Sequence, residues 1–120
     1  MRYFTPDHEW LEPDGDGVLV GITAYAQAQL GDIVFVELPA PGRHVAKGDS
    51  AAVVESVKIA SDIFAPVTSE VTTVNQLVAM DPSLVNREPE GSGWLFRIRL
   101  ADPSELDGLM DRQTYANAIA

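Results

Sequence analysis

The sequence contains no cysteine. It therefore has no disulfide bond, no thiolate nucleophile and no cysteine-ligated metal site, and sulfur chemistry would have to arrive on a cofactor. The two histidines, His8 and His44, lie far apart and do not have zinc-binding spacing. No apolar run approaches membrane-spanning length, and the first residues lack the apolar core of a signal peptide. We expect a protein of the bacterial cytoplasm.

Basic residues are also scarce, with eight Lys and Arg against eighteen Asp and Glu and a formal net charge of -10. Nucleic acids and anionic membranes are bound through basic faces, so we expect neither as a partner. Basic protein surfaces remain possible partners, and the alternative is an acidic surface that serves solubility alone. The 120 residues, 46% of them hydrophobic, suffice for one core. We expect a single domain over residues 1–120 and a monomer.

Short apolar segments alternate with Gly, Pro and Asp turns along most of the chain. Residues 8–22 predict a hairpin, and the β-branched residues 32–39 predict a strand buried on much of both faces. Further strands are predicted after the turn at 47–49 and over 59–66, 68–77 and 94–100. In the last strand the alternation places Trp94 on the buried side with Phe96 and Ile98. Many short strands favour a small β-sandwich or partly closed barrel.

Helix signals are confined to short stretches. Thr23 can cap a helix that Gly31 ends in the left-handed conformation. Residues 79–93 predict a loop with one helical turn, capped by Asp81 with Pro82 in its first position. We therefore expect a β core over about residues 2–100, followed by a helical tail over about 102–119.

The tail has its own start and break signals. Asp102, Pro103 and Glu105 supply a cap, a first-turn proline and a capping box. Gly108 is expected to divide the tail into two pieces.

Only two lysines occur, Lys47 and Lys58. Lys47 stands beside Gly48 in a polar turn and is interpreted as a turn and solubility residue. Lys58 lies between that turn and Pro66, so it is predicted near the tip of a β-hairpin. Its neighbours Val57 and Ile59 are apolar, which is an unusual setting for an ordinary exposed lysine at a hairpin tip.

A lysine at a hairpin tip is a good tether. Its stem is long and flexible, and acylation of its amine gives a stable neutral amide. A protruding and rigidly framed hairpin also gives a modifying enzyme something to recognise. The ordinary alternative is a solvent-facing strand residue.

Several segments, in this order along the chain, carry a family resemblance: "HEW", "VGIT.YAQ..LGDIVFVELP", "KGD", "VVESVK..SDI.AP", "EV..VN", "LVN..P.G.GWLF.I" and "LMD...Y". They resemble the H proteins of the glycine cleavage system, from about Tyr3 to about Tyr115. The combination of "ESVK..SD" with "GW" is specific to that family. The similarity therefore extends over nearly the whole chain.

This resemblance implies a mainly β, lipoyl/biotinyl-type barrel-sandwich hybrid, a flattened β-sandwich with short helices and a helical tail. It also implies lipoic acid joined covalently to Lys58 by a lipoate ligase or a lipoyl/octanoyl transferase. Such a protein is a carrier and not an enzyme. It takes the aminomethyl group of glycine from glycine decarboxylase, the P protein, to the aminomethyltransferase, the tetrahydrofolate-dependent T protein. Dihydrolipoamide dehydrogenase, the L protein, then reoxidises the arm.

The matching positions assign roles to three acidic residues. Glu55, three residues before Lys58, matches a glutamate recognised by the modifying enzyme. Glu9 in "HEW" and Asp62 in "SD" match positions that contact the loaded arm. The alternative for each is a solvated surface carboxylate.

Three positions depart from the family pattern. Ala24 replaces an acidic residue of the first helical turn, and Ile59 adds bulk after the lysine. Ser69 stands where a turn glycine is usual, and it would be strained if the turn needs a positive φ.

Other carriers remain as alternatives. Lipoyl domains of 2-oxo acid dehydrogenases have Asp before the lysine, and biotin carriers have Met beside it, whereas here the neighbours are Val57 and Ile59. A lipoyl-relay paralogue would pass its lipoyl group to other proteins and would look almost the same. An unmodified acidic interaction module is the alternative from another class.

Overall fold

The computed structural model describes all residues from Met1 to Ala120. Its strands are β1 (Tyr3–Phe4), β2 (Glu9–Asp14), β3 (Gly17–Ile22), β4 (Ile33–Glu37), β5 (His44–Val45), β6 (Ser50–Ser56), β7 (Ala60–Phe64), β8 (Ser69–Val74) and β9 (Phe96–Leu100). Its helices are α1 (Ala24–Leu30), α2 (Gln76–Met80), α3 (Ser83–Arg87), a 3-10 helix (Pro103–Gly108) and α4 (Arg112–Ile119). None of these helices combines the length and the apolarity that crossing a bilayer requires.

The strands form two antiparallel sheets. One has the order β1-β2-β3-β9-β8-β5, and the other has the order β4-β6-β7. Their inner faces share one cluster of 20 buried residues, which includes Leu11, Val20, Val54, Ile63 and Ile98. The molecule measures 37 × 36 × 23 Å, so it is clearly flattened. The expected mainly β, flattened sandwich is confirmed.

A second, smaller cluster lies under the carboxy-terminal helix. It contains Phe4, Trp10 and Tyr115, and the half-buried Trp94 packs against it. The prediction that Trp94 joins Phe96 and Ile98 in the main core is wrong. The strand begins only at Phe96, so the side chain of Trp94 lies with the smaller cluster and not between the sheets.

Strand β4 is less buried than predicted. Ile33 and Val36 face the core, but Val34 is 55% exposed and Phe35 is 50% exposed. The reason is a register irregularity between Ile33 and Phe35, together with the position of β4 at the edge of its sheet. The prediction of a strand buried on both faces is therefore wrong.

The first helix begins as predicted, because the hydroxyl of Thr23 accepts a hydrogen bond from the Ala26 N–H. Gly31 ends the helix at φ 82° and ψ -152°. This backbone has a positive φ but lies outside the left-handed helical region, in a region essentially limited to glycine. The expectation of a left-handed Gly31 is corrected accordingly.

Two segments differ from prediction because of side-chain caps. The predicted strand over 68–77 stops at Val74, since Asn75 caps α2 by accepting from the Leu77 N–H. Asp81 does not cap α3, because its carboxylate accepts from the Ser83 hydroxyl and pairs with Arg87. Both short helices lie in a stretch that we expected to be mainly strand and loop.

The tail divides into two helical pieces, with Gly108 at the end of the first. Asp102 caps the 3-10 helix by accepting from the Ser104 N–H. Glu105 does not complete the capping box that we predicted. Its carboxylate instead accepts from the Thr68 N–H at 2.9 Å, which ties the tail to the start of β8.

The structure explains two of the three positions that depart from the family pattern, Ala24 and Ser69. Glu90 accepts from the Ala24 N–H at 2.8 Å, so a carboxylate distant in sequence supplies the charge that Ala24 lacks. Ser69 is a buried strand residue, and His8 is the only non-glycine residue with a positive φ. Ser69 is therefore not strained.

Candidate functional site

Lys58 lies at the tip of the hairpin formed by β6 and β7, where the sequence placed it. Its side chain is exposed, and so are those of its neighbours Val57 and Ile59, at 66% and 57%. Lys58 forms no ion pair. Lys47 occupies the turn before the other end of β6, as expected, beside Gly48 at φ 92°. The two lysines are therefore separated by the length of a strand.

The tip is held together mainly by Ser56. Its N–H donates to the Ile59 carbonyl at 2.8 Å. Its Oγ accepts from the N–H groups of Lys58 and Ile59, both at 3.1 Å. Our sequence reasoning missed Ser56, although serine ahead of a turn is a known signal for such bonds. The lysine is therefore presented on a rigid frame.

The outer face of the three-stranded sheet carries carboxylates and apolar groups around this tip. Glu55 lies opposite Phe35 on one neighbouring strand and opposite Ala60 on the other. Asp62 lies farther along β7, where its carboxylate accepts from the Ser50 hydroxyl at 2.9 Å. Neither carboxylate forms an ion pair. The arginines that do form ion pairs all have other acidic partners; they are Arg2, Arg87, Arg97, Arg99 and Arg112.

Glu9 is in a different environment, being only 2% exposed. Its carboxyl group accepts from the Thr5 hydroxyl at 2.9 Å. Burial raises the pKa of Glu9 from 4.5 to about 7, the Thr5 bond opposes that rise, and nearby Asp7 adds to it. The reading of Glu9 as a solvated surface carboxylate is therefore wrong.

Glu9 lines a cavity of about 470 Å³. The wall also includes Thr5, Asp7, Lys47, Phe64 and Leu109. Asp62 is not part of this wall, but it precedes Phe64 by two residues on the outward side of β7, and both side chains are exposed. From Ala60 to Phe64 the strand runs ~13 Å. A flexible group leaving Lys58 along this face would pass Asp62 before reaching Glu9.

The turn that leads into Glu9, at the start of β2, is fixed by the carboxy-terminal helix. His8 has φ 68°, and its Nδ1 lies 2.9 Å from the Tyr115 hydroxyl. That hydroxyl also lies 2.8 Å from Thr23 Oγ1. Burial raises the pKa of Tyr115. Neither His8 nor Tyr115 was singled out as a site residue from the sequence, because the bond between them joins opposite ends of the chain.

The arrangement consists of an exposed lysine amine, two nearby outward carboxylates and a cavity with a buried carboxyl. It contains no thiol, and Lys58 has no carboxylate or imidazole partner that would take its proton. Such a site can carry a group attached to the lysine and retain the far end of that group near the buried carboxyl. It does not resemble a nucleophile paired with its base.

Comparison with known proteins gives a consistent result. Residues 2–120 match the family described as glycine cleavage H-protein. The chain is 56% identical over 117 residues to the glycine cleavage system H protein of Phenylobacterium zucineum, covering 98% of this chain and 97% of that protein. It is 58% identical over 115 residues to the H protein of Methylocella silvestris, covering 96% and 91%. A crystal structure of the H protein from Mycobacterium marinum superposes with a TM-score of 0.89 at 38% identity, covering 98% and 95%.

Proposed function

The chain belongs to the glycine cleavage H-protein family, and we propose that it carries its lipoyl group as an amide on Lys58. Its function is that of the lipoyl carrier of the glycine cleavage system, moving the aminomethyl group of glycine between the components of that system. The lipoyl group, when bound, supplies the disulfide and dithiol chemistry. The chain itself has no cysteine that could compete by exchange.

The observation that carries this assignment is the setting of Lys58. Its amine is exposed on a tip that Ser56 makes rigid, and no carboxylate pairs with it. These features fit an acylated lysine, which needs access by a modifying enzyme and loses its charge. Lys47 is also held in a hydrogen-bonded turn, because its N–H donates to the Thr68 hydroxyl at 3.1 Å. It stands at the cavity wall, between β5 of one sheet and β6 of the other, and not at a hairpin tip.

We propose that Glu9 and Asp62 retain the loaded arm. The aminomethyl-loaded arm ends in an amine that is mainly cationic near pH 7, whereas the empty arm is uncharged. With a pKa of about 7, Glu9 is about half ionised near neutrality, and a cation in the cavity would favour its ionised form. Asp62 adds a second carboxylate on the face between the tip and the cavity. Only the loaded state gains this attraction.

The surface around the tip suits partner enzymes with basic and partly apolar contact surfaces. Glu55 and Asp62 face outward without ion pairs, and Val57 and Ile59 are exposed beside the lysine. We propose that Glu55 is recognised by a lipoate ligase or a lipoyl/octanoyl transferase. The P, T and L proteins would approach the same face, where opposite charge speeds encounter. The named relatives are bacterial, and we propose the cytoplasm as the place of action.

We propose that the chain has no turnover of its own, because the pyridoxal phosphate, folate and flavin chemistry belongs to its partners. The test is reconstitution of the lipoylated protein with the P, T and L proteins, glycine, tetrahydrofolate and NAD. Formation of methylene-tetrahydrofolate should require this chain and should be lost in Lys58→Arg. It should persist in Lys47→Arg. Full activity of Lys58→Arg would contradict the assignment.

A further inference from the structure

Asn86 lies in α3, 28 residues from Lys58, in the segment "LVN". Its side chain makes two hydrogen bonds to the backbone of the turn between α1 and β4. The amide nitrogen donates to the Gly31 carbonyl at 2.8 Å, and the amide oxygen accepts from the Ile33 N–H at 2.8 Å. The two bonds bracket Asp32, so they fix the orientation of the backbone between them.

The same turn contacts the hairpin tip that carries Lys58. The Asp32 carbonyl accepts from the Val57 N–H at 3.0 Å. Gly31 lies against the lysine itself, since a Cβ placed on residue 31 would be 3.6 Å from Lys58 Cε and 3.8 Å from Nζ. The tip therefore has two anchors, Ser56 within the hairpin and the 31–33 turn beside it.

We propose that Asn86 is a positioning residue for the modified lysine. It does not touch Lys58 but holds the 31–33 turn, whose Asp32 carbonyl anchors Val57 and whose Gly31 leaves room for the lysine stem. A modifying enzyme needs the lysine in a fixed place, so loss of Asn86 should slow attachment of the lipoyl group. This proposal rests on the assignment of Lys58 as the attachment site.

Asn75 provides a matched control. It also uses both ends of its amide on backbone groups, donating to the carbonyls of Ser92 and Trp94 and accepting from the Leu77 N–H. None of these partners belongs to the 31–33 turn or to the tip. Asn75→Ala therefore removes the same kind of bonds without loosening the lysine.

The experiment compares unmodified full-length wild type, Asn86→Ala and Asn75→Ala. The first readout is amide hydrogen exchange at Val57, measured below the temperature at which any variant unfolds. The second readout is the rate of the lipoyl mass increase with an ATP-dependent lipoate ligase, lipoate and ATP. In Asn86→Ala we expect exchange at Val57 to be about tenfold faster and attachment to be several-fold slower. In Asn75→Ala both should match wild type, even where its melting temperature falls.

Several outcomes would overturn the proposal. They are unchanged exchange at Val57 in Asn86→Ala, faster exchange with an unchanged attachment rate, or equal effects in Asn75→Ala. Should Asn86→Ala fail to fold, Asn86→Asp retains the acceptor for the Ile33 N–H, loses the donor to Gly31, and should show the same two changes. Failure of the Lys58 assignment looks different, because wild type itself would then gain no lipoyl mass on Lys58.

Discussion

The carboxyl group of Glu9 accepts a hydrogen bond from the Thr5 hydroxyl at 2.9 Å, and both side chains are buried in one wall of the cavity. Desolvation of the carboxylate outweighs the hydrogen bonds from the Thr5 hydroxyl and the Phe64 backbone, so the pKa of Glu9 rises to about 7. This has a measurable effect on stability, independent of any cofactor.

The first prediction is that Glu9→Gln changes the pH dependence of folding. A carboxyl whose pKa is raised on folding favours the native state at low pH and disfavours it as pH rises from 4.5 through about 7. Near pH 4, below the pKa of this carboxyl in both the folded and the unfolded protein, variant and wild type should differ little. Near pH 8 the variant should be more stable by at most about 3 kcal/mol. Urea denaturation at both pH values measures this, and a pH-independent difference would contradict it.

The second prediction concerns retention of the loaded arm. Glu9→Gln combined with Asp62→Asn should speed spontaneous loss of the aminomethyl group after the P protein is removed. The exposed Asp62 should contribute at most ~1 kcal/mol, and less at high salt. The contribution of the buried Glu9 should be screened less by salt. Reoxidation of the empty dithiol by the L protein is the control and should not change. Equal loss rates at low salt would reject a role for these two residues.

The third prediction is that Ser69→Gly destabilises the protein, contrary to what a strained turn at this position would imply. Ser69 is a buried strand residue without a positive φ, and its hydroxyl donates to the Val67 carbonyl. Glycine would add freedom to the unfolded chain and lose that bond, at a cost of about 1 kcal/mol. Thermal unfolding of both proteins shows whether the variant is less or more stable than wild type. A more stable variant would show that this account of Ser69 is wrong.

The fourth prediction is that Ser56→Ala loosens the tip. The N–H groups of Lys58 and Ile59 would lose their acceptor, so their exchange should become about tenfold faster. Global stability should fall by only about 1 kcal/mol. Ser50→Ala is the matched control on the same hairpin, because its hydroxyl bonds Asp62 and not the tip. Similar exchange at Lys58 in the two variants would argue against Ser56 as the frame.

Local signals in the sequence predicted much of the fold. The Thr23 cap, the hairpin turn between β2 and β3 and the strand of alternating residues from Phe96 all appear in the structure. The tip position of Lys58 also followed from the turns on either side of it. These features depend on residues within a few positions of one another, which a sequence displays directly.

The contacts that the sequence did not predict share a different cause. Glu90 caps α1 from 66 residues away, and Asn86 bonds Gly31 from 55 residues away. The environment of Glu9 depends on Thr5 and on Phe64 from the other sheet, which lines the same cavity. Such contacts are set by how the sheets and the tail pack. Neither periodicity nor propensity along one segment contains that information.

Peptide mass mapping of the protein from cells that make lipoic acid tests the central assignment most directly. We expect one lipoyl increment, on the peptide that contains Lys58, and none on the peptide that contains Lys47. Lys58→Arg should remove the increment and leave the melting temperature nearly unchanged, because the exposed tip side chain makes few core contacts. A lipoyl group found on Lys47 alone, or a native protein that carries none, would contradict the account.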